Sequence, residues 1–108
     1  MSLNDVQKNV AEWASQFDPP YWPPLAMMAR LTEETGEVAR ELNHMFGPKK
    51  KKASEAEQHL GEELIDIIFT VCCIANSQNI DLQKEWDKSM SEKHYGRDGN
   101  RFVKKEEQ

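Results

Sequence analysis

Two pairs of acids share one spacing: Glu34 with Glu37, and Glu63 with Asp66. Residues three apart on an α-helix lie on one face, their Cβ atoms about 5–6 Å apart. Two such helices docked side by side bring four carboxylates into one small volume. Four like charges in a partly dry site repel and lose hydration, which is unfavourable unless protons or cations occupy the site. An all-oxygen donor set suits Mg²⁺, with Mn²⁺ as a substitute, and Mg²⁺ is typically shared between protein carboxylates and substrate phosphates. The chemistry this implies is metal-assisted attack of water on phosphorus, without a Cys or Ser nucleophile. Asp66 carries the most information, because an acid between Ile65 and Ile67 in an apolar helix costs several kcal/mol if buried and unpaired. Gly36 and Gly61 each cost up to about 1 kcal/mol against alanine inside a helix and predict a close approach of another backbone or a ligand.

The elements that must position these acids are helices, and the predicted class is all-α. Leu3, Val6, Val10, Trp13, Ala14 and Phe17 recur every three or four residues, a single buried stripe that places Trp13 in the core. The proline-rich stretch from Asp18 to Pro24 ends that helix, and Pro24 opens the next. The second helix runs from about Leu25 to Met45, with Leu25, Met28, Leu31, Thr35, Val38, Leu42, Met45 and Phe46 on its apolar side, and Gly47 and Pro48 stop it. Ser54 with Glu57 resembles a capping box for a third helix, antiparallel to the second because the intervening basic loop is short. From Leu64 to Ala75 the third helix is apolar nearly all round, broken only by Asp66 and Thr70, so it needs cover on every side. A fourth helix starts after Asp81 and carries only Leu82, Trp86 and Met90 before Gly96 ends it. Such thin stripes predict that residues 67–74 pack in or beside a contact with a second subunit.

With 108 residues the chain is read as one domain, 1–108, near the lower limit of what builds a core unaided. Its net charge of -5 argues against general nucleic-acid binding, so a phosphate ligand needs a metal or a local basic cluster. No apolar run reaches the roughly 18 residues of a membrane span and no signal peptide is evident, which predicts a cytoplasmic protein without membrane partners. Cys72 and Cys73 are adjacent inside an apolar run and read as core.

Taken together, Glu33-Glu34-Thr35-Gly36-Glu37, a gap of 25 residues, and Glu63-Leu64-Ile65-Asp66 resemble the ExxE and ExxD motifs of MazG-like nucleoside triphosphate pyrophosphohydrolases, over roughly Leu25 to Arg101. The resemblance implies a four-helix MazG-like bundle completed by oligomerisation as a homodimer or dimer of dimers. It also implies Mg²⁺-dependent hydrolysis of a nucleoside triphosphate between the α and β phosphates, in nucleotide-pool clearance. By motif position Glu34, Glu37, Glu63 and Asp66 are the metal ligands and catalytic acids, and Lys93 and Arg97 match the family's C-terminal basic residues that meet the phosphates. Ser91 departs from the Asn common before the Glu-Lys pair, so substrate choice does not carry over.

Other readings compete. Trp13 and Trp22 offer faces on which a base can stack. The lysines at 49–52 read as a solvated loop. Glu41 and His44 match one Glu-x-x-His element of a di-iron bundle, which needs two. A non-catalytic adaptor that dimerises through its third helix is a further alternative.

Overall fold

The computed structural model describes residues 1–55 and 59–106. Among them lie four α-helices and no strand: α1 (Leu3–Ala14), α2 (Pro24–Phe46), α3 (Leu60–Ser77) and α4 (Leu82–Ser89). The all-α expectation holds. No helix of the described residues is long and apolar enough to cross a membrane.

Local chemistry sets the helix ends. Ser2 caps α1 by accepting from the Asp5 amide while the Asp5 carboxylate accepts from the Ser2 amide, a reciprocal capping box. Pro24 opens α2, where a missing N–H costs nothing. Asn79, at φ 56°, takes the left-handed turn that separates α3 from α4. The Asp81 carboxylate then caps α4 through the Lys84 amide.

Two of the expected helix ends differ. Ser54 falls within a separate 3-10 turn, Ala53–Glu55, and α3 begins only at Leu60; Glu57 lies outside the described residues. Glu55 of that turn is ion-paired to Arg40 on α2, which draws the segment toward α2 rather than onto the α3 axis. Gly96 does not end the fourth helix, since a π-helical segment, Met90–Arg97, continues from α4 before a last turn at Asp98–Asn100.

Helix α2 packs along α3, and α1 lies across α3 and the start of α4. A buried glutamine joins the last three. Gln7 donates to the Asn76 side chain (3.0 Å) and the Ile80 carbonyl (2.8 Å) and accepts from the Leu82 amide (2.9 Å). Asn76 returns a bond to the Gln7 carbonyl. Every polar group buried at this junction has a partner, which fixes how α1 meets the α3–α4 turn.

The apolar core is small: among the described residues Val10, Ala14, Met27, Cys72 and Ala75 are the buried hydrophobic ones. Only part of the expected apolar side of α2 is covered, since Leu31, Val38 and Met45 are half-buried. Leu25, Met28, Leu42 and Phe46 are exposed, whereas Met27, Glu34 and Glu41, seven apart, are the buried positions of the helix. On α3, Leu64, Ile65 and Ile68 are exposed as well. The radius of gyration, 17.8 Å, exceeds the roughly 13 Å of a compact chain of this length.

Candidate metal centre and adjoining cavity

Because α2 turns its Met27–Glu34–Glu41 face to α3, the acids of the two helices meet. Carboxylate oxygens of Glu34, Glu63 and Asp66 all lie within 4.8 Å of one another, the one such group of potential metal ligands among the described residues. Glu34 is buried, Glu63 half-buried and Asp66 exposed. Asp66 is therefore not the submerged acid that its apolar neighbours predict: Ile65 is exposed with it and Ile67 is only half-buried.

Glu37, one turn along α2 and exposed, is outside this three-residue group. It still acts on it. Burial pushes the Glu63 carboxyl above its ordinary range, and the negative charges of Glu37, Asp66, Glu34 and Glu41 push it further. The four acids singled out in the sequence thus share one electrostatic site, although three of them are in reach of a single ion. A cluster of carboxylate oxygens at this spacing fits a hard divalent cation.

One cation already touches the cluster. Arg30 Nε lies 2.5 Å from Glu34 Oε1, across one helical turn. Thr70, buried on α3, spends its hydroxyl on the Asp66 backbone carbonyl, so it shapes the floor of the site without occupying the Asp66 carboxylate. The close approach predicted at Gly36 and Gly61 is absent, because a Cβ added at either meets nothing within 4 Å.

Beside the acids opens a cavity of about 450 Å³ whose wall includes Trp13, Phe17, Tyr21, Trp22 and Phe69, with Arg30, Glu34 and Asp66 at its polar end. Trp13 is not core: it is half-exposed, tilted on Phe17 (4.9 Å between centroids) and edge-on to Phe69 (5.5 Å). The prolines after α1 carry Tyr21 and Trp22 over this wall. The sequence signal was the clustering of aromatic residues around the proline-rich stretch. Helical periodicity concealed it, because Trp13 falls in register with true core residues.

Lys93 and Arg97 lie in the π-helical segment beyond α4, and the structure does not bring them to the acids; Arg97 pairs with Asp98 instead. Glu41 and His44 do not form an open ligand pair. Glu41 accepts from Lys51 Nζ (2.7 Å) and from the His59 amide (3.2 Å), and His44 Nδ1 accepts from the Lys51 amide (3.1 Å). The basic loop is thus partly internal, with the Lys51 side chain only 3% exposed. The Lys51 ammonium and the His59 amide hold the Glu41 carboxyl below its ordinary range against the opposing effect of burial.

The MazG nucleotide pyrophosphohydrolase domain matches residues 23–102, and the chain belongs to that family. It is 46% identical over 106 residues to YpjD of Bacillus subtilis, spanning 98% of this chain and 95% of the relative. The crystal structure of YPJD from Bacillus subtilis superposes with a TM-score of 0.76 at 45% identity, over 86% of this chain and 95% of that one. A Bacillus-conserved MazG protein described as a nucleotide pyrophosphohydrolase superposes with a TM-score of 0.70 at 39% identity, over 99% and 95%.

Proposed function

We propose that this protein hydrolyses a nucleoside triphosphate between its α and β phosphates, releasing the monophosphate and pyrophosphate, in Mg²⁺-dependent clearance of nucleotides. The single observation that carries the reading is the shared wall. Glu34 and Asp66 belong both to the three-acid cluster and to the aromatic cavity, so one ligand with a flat apolar end and a polyanionic end spans the two. Aromatic faces accept a base. Glu34, Glu63 and Asp66, with Glu37 beside them, would hold Mg²⁺, which when bound supplies charge neutralisation at phosphorus. Glu63, the acid whose proton affinity burial and its acidic neighbours raise, orients the attacking water.

We further assign the functional unit to a homodimer or dimer of dimers. Exposed Leu64, Ile65 and Ile68 on α3, with Leu25, Met28 and Phe46 on α2, are a large apolar surface for a soluble monomer. A second copy is the occupant that the family resemblance implies. Lys93 and Arg97 are the residues that the family resemblance assigns to the phosphates.

The test is a screen of ribo- and deoxynucleoside triphosphates with Mg²⁺, scored for pyrophosphate against inorganic phosphate, with Asp66→Asn as control. Pyrophosphate release by the wild type and a loss of at least about 100-fold in the variant are expected. Near-normal turnover of the variant at saturating Mg²⁺ overturns the site. Release of inorganic phosphate alone overturns the bond assignment, and no turnover of any triphosphate returns the chain to the adaptor reading.

A further inference from the structure

Arg30 is a residue that the motif does not assign, and it stands where the cavity meets the acids. Its Nε lies 2.5 Å from Glu34 Oε1, and it is the one described partner of that nearly buried carboxylate, whose side chain is 6% exposed. The guanidinium itself is half-exposed. An ordinary helix-surface pair is a poor account of this contact. The favourable order places the acid N-terminal to the base at this spacing, and here the base comes first. The acid is also taken out of water, which an exposed pair avoids.

We propose that Arg30 is the internal counter-cation of the metal-free site: it yields Glu34 to the divalent ion and then binds the α-phosphate of the nucleotide. The assignment rests on the proposed function and names a further substrate-binding residue for it. Glu34 is a member of the three-acid group, so Arg30 and a metal compete for one carboxylate. Displaced, the guanidinium stays tethered one turn from Glu34, on the cavity wall, and the charges of Glu34, Glu33 and Asp66 keep it near the acids. Along α2 the cavity is touched by Met27, then Arg30, then Glu34. With the base against the aromatic wall and the phosphates at the acids, Arg30 stands between them, at the first phosphate. A planar fork of donors matches two phosphate oxygens.

Arg30→Met keeps the apolar stem of the side chain and removes the charge. Two effects of opposite sign are expected. Mn²⁺ titrated into the substrate-free protein and followed by electron paramagnetic resonance should bind at least about threefold tighter, because the competing cation is gone. Binding of α,β-methylene deoxynucleoside triphosphates, the four common bases tried singly with Mg²⁺, should weaken roughly tenfold. Arg30→Lys should recover the Mn²⁺ affinity of the wild type but only part of the nucleotide affinity, since it restores charge and not the fork. In the wild type, the Arg30 Nε–H signal in a ¹H–¹⁵N spectrum should move on saturation with Mg²⁺ before any nucleotide is added. A stationary signal with unchanged Mn²⁺ affinity overturns the counter-cation role. Unchanged nucleotide binding, or none by the wild type, overturns the phosphate contact. The metal and spectral readouts need no turnover, so a failed triphosphate screen refutes the hydrolase reading without touching the exchange.

Discussion

Removing one charge from the acidic cluster should stabilise the metal-free protein, and Glu63→Gln is the variant to make. It keeps the volume and an oxygen ligand while deleting the carboxylate that feels all the others. Two charges 4.8 Å apart, the outer limit for Glu34, Glu63 and Asp66, repel by about 0.9 kcal/mol at the dielectric of water and about 3.5 kcal/mol at an effective value of 20. Asp66 is exposed and Glu63 half-covered, so the lower figure applies, and Arg30 already offsets most of the Glu34 charge. About 1 kcal/mol therefore remains to be recovered, a rise in Tm of roughly 4–8 °C for a domain of this size. The sign has a pH signature. A carboxyl held above its ordinary value favours the folded state when protonated, so wild-type stability in EDTA should increase as pH falls from neutrality toward the ordinary carboxylate range. That slope should flatten in Glu63→Gln. Mg²⁺ should raise the wild-type Tm by mass action, and the variant's by less. Scanning calorimetry in EDTA and in Mg²⁺ decides the matter: a lower Tm for the variant in EDTA together with an equal Mg²⁺ shift in both proteins refutes the clustered-charge argument.

Three further outcomes are expected. Light scattering across micromolar concentrations should give at least a dimer mass, and Ile68→Glu, at a position exposed in the protomer, should lower that mass while leaving circular dichroism unchanged; a stable wild-type monomer defeats the assembly. Trp22→Ala should raise KM about tenfold with little change in kcat, as the loss of one base-stacking face predicts, and an unaltered KM removes the base from the cavity. Glu41→Gln should cost stability at neutral pH, and its difference from wild type should shrink as pH falls through the lowered Glu41 value, because protonation then removes from the wild type the ion pair that the variant already lacks. Urea denaturation at several pH values checks this, and a difference constant down to pH ~2 would count against the pair.

Much of this protein was legible from residue spacing. Glu34 with Glu37 and Glu63 with Asp66 announce two acid-bearing helices, and Pro24, Gly47 and the Asp81 cap delimit several of the elements, because helix periodicity and end chemistry are local properties. Tertiary packing alone decided which way each helix turned. Helix α2 carries two stripes; the one containing Met27, Glu34 and Glu41, with half-buried Leu31, Val38 and Met45, faces α3, and the one containing Leu25, Met28, Leu42 and Phe46 faces outward. Burial preference predicts neither the buried acids nor the exposed apolar stripe for an isolated chain. It fails where a carboxylate obtains a buried cation, as Glu41 does from Lys51, and where an apolar stripe is left for a surface beyond the protomer. Tertiary packing likewise buried Glu34, whose partner Arg30 is a local neighbour one turn away, and put Trp13, expected in the core, on the cavity wall. Which residues share a face is written in the sequence, but what that face meets depends on partners far along the chain, as with Gln7 and Asn76, and no local pattern encodes those distances.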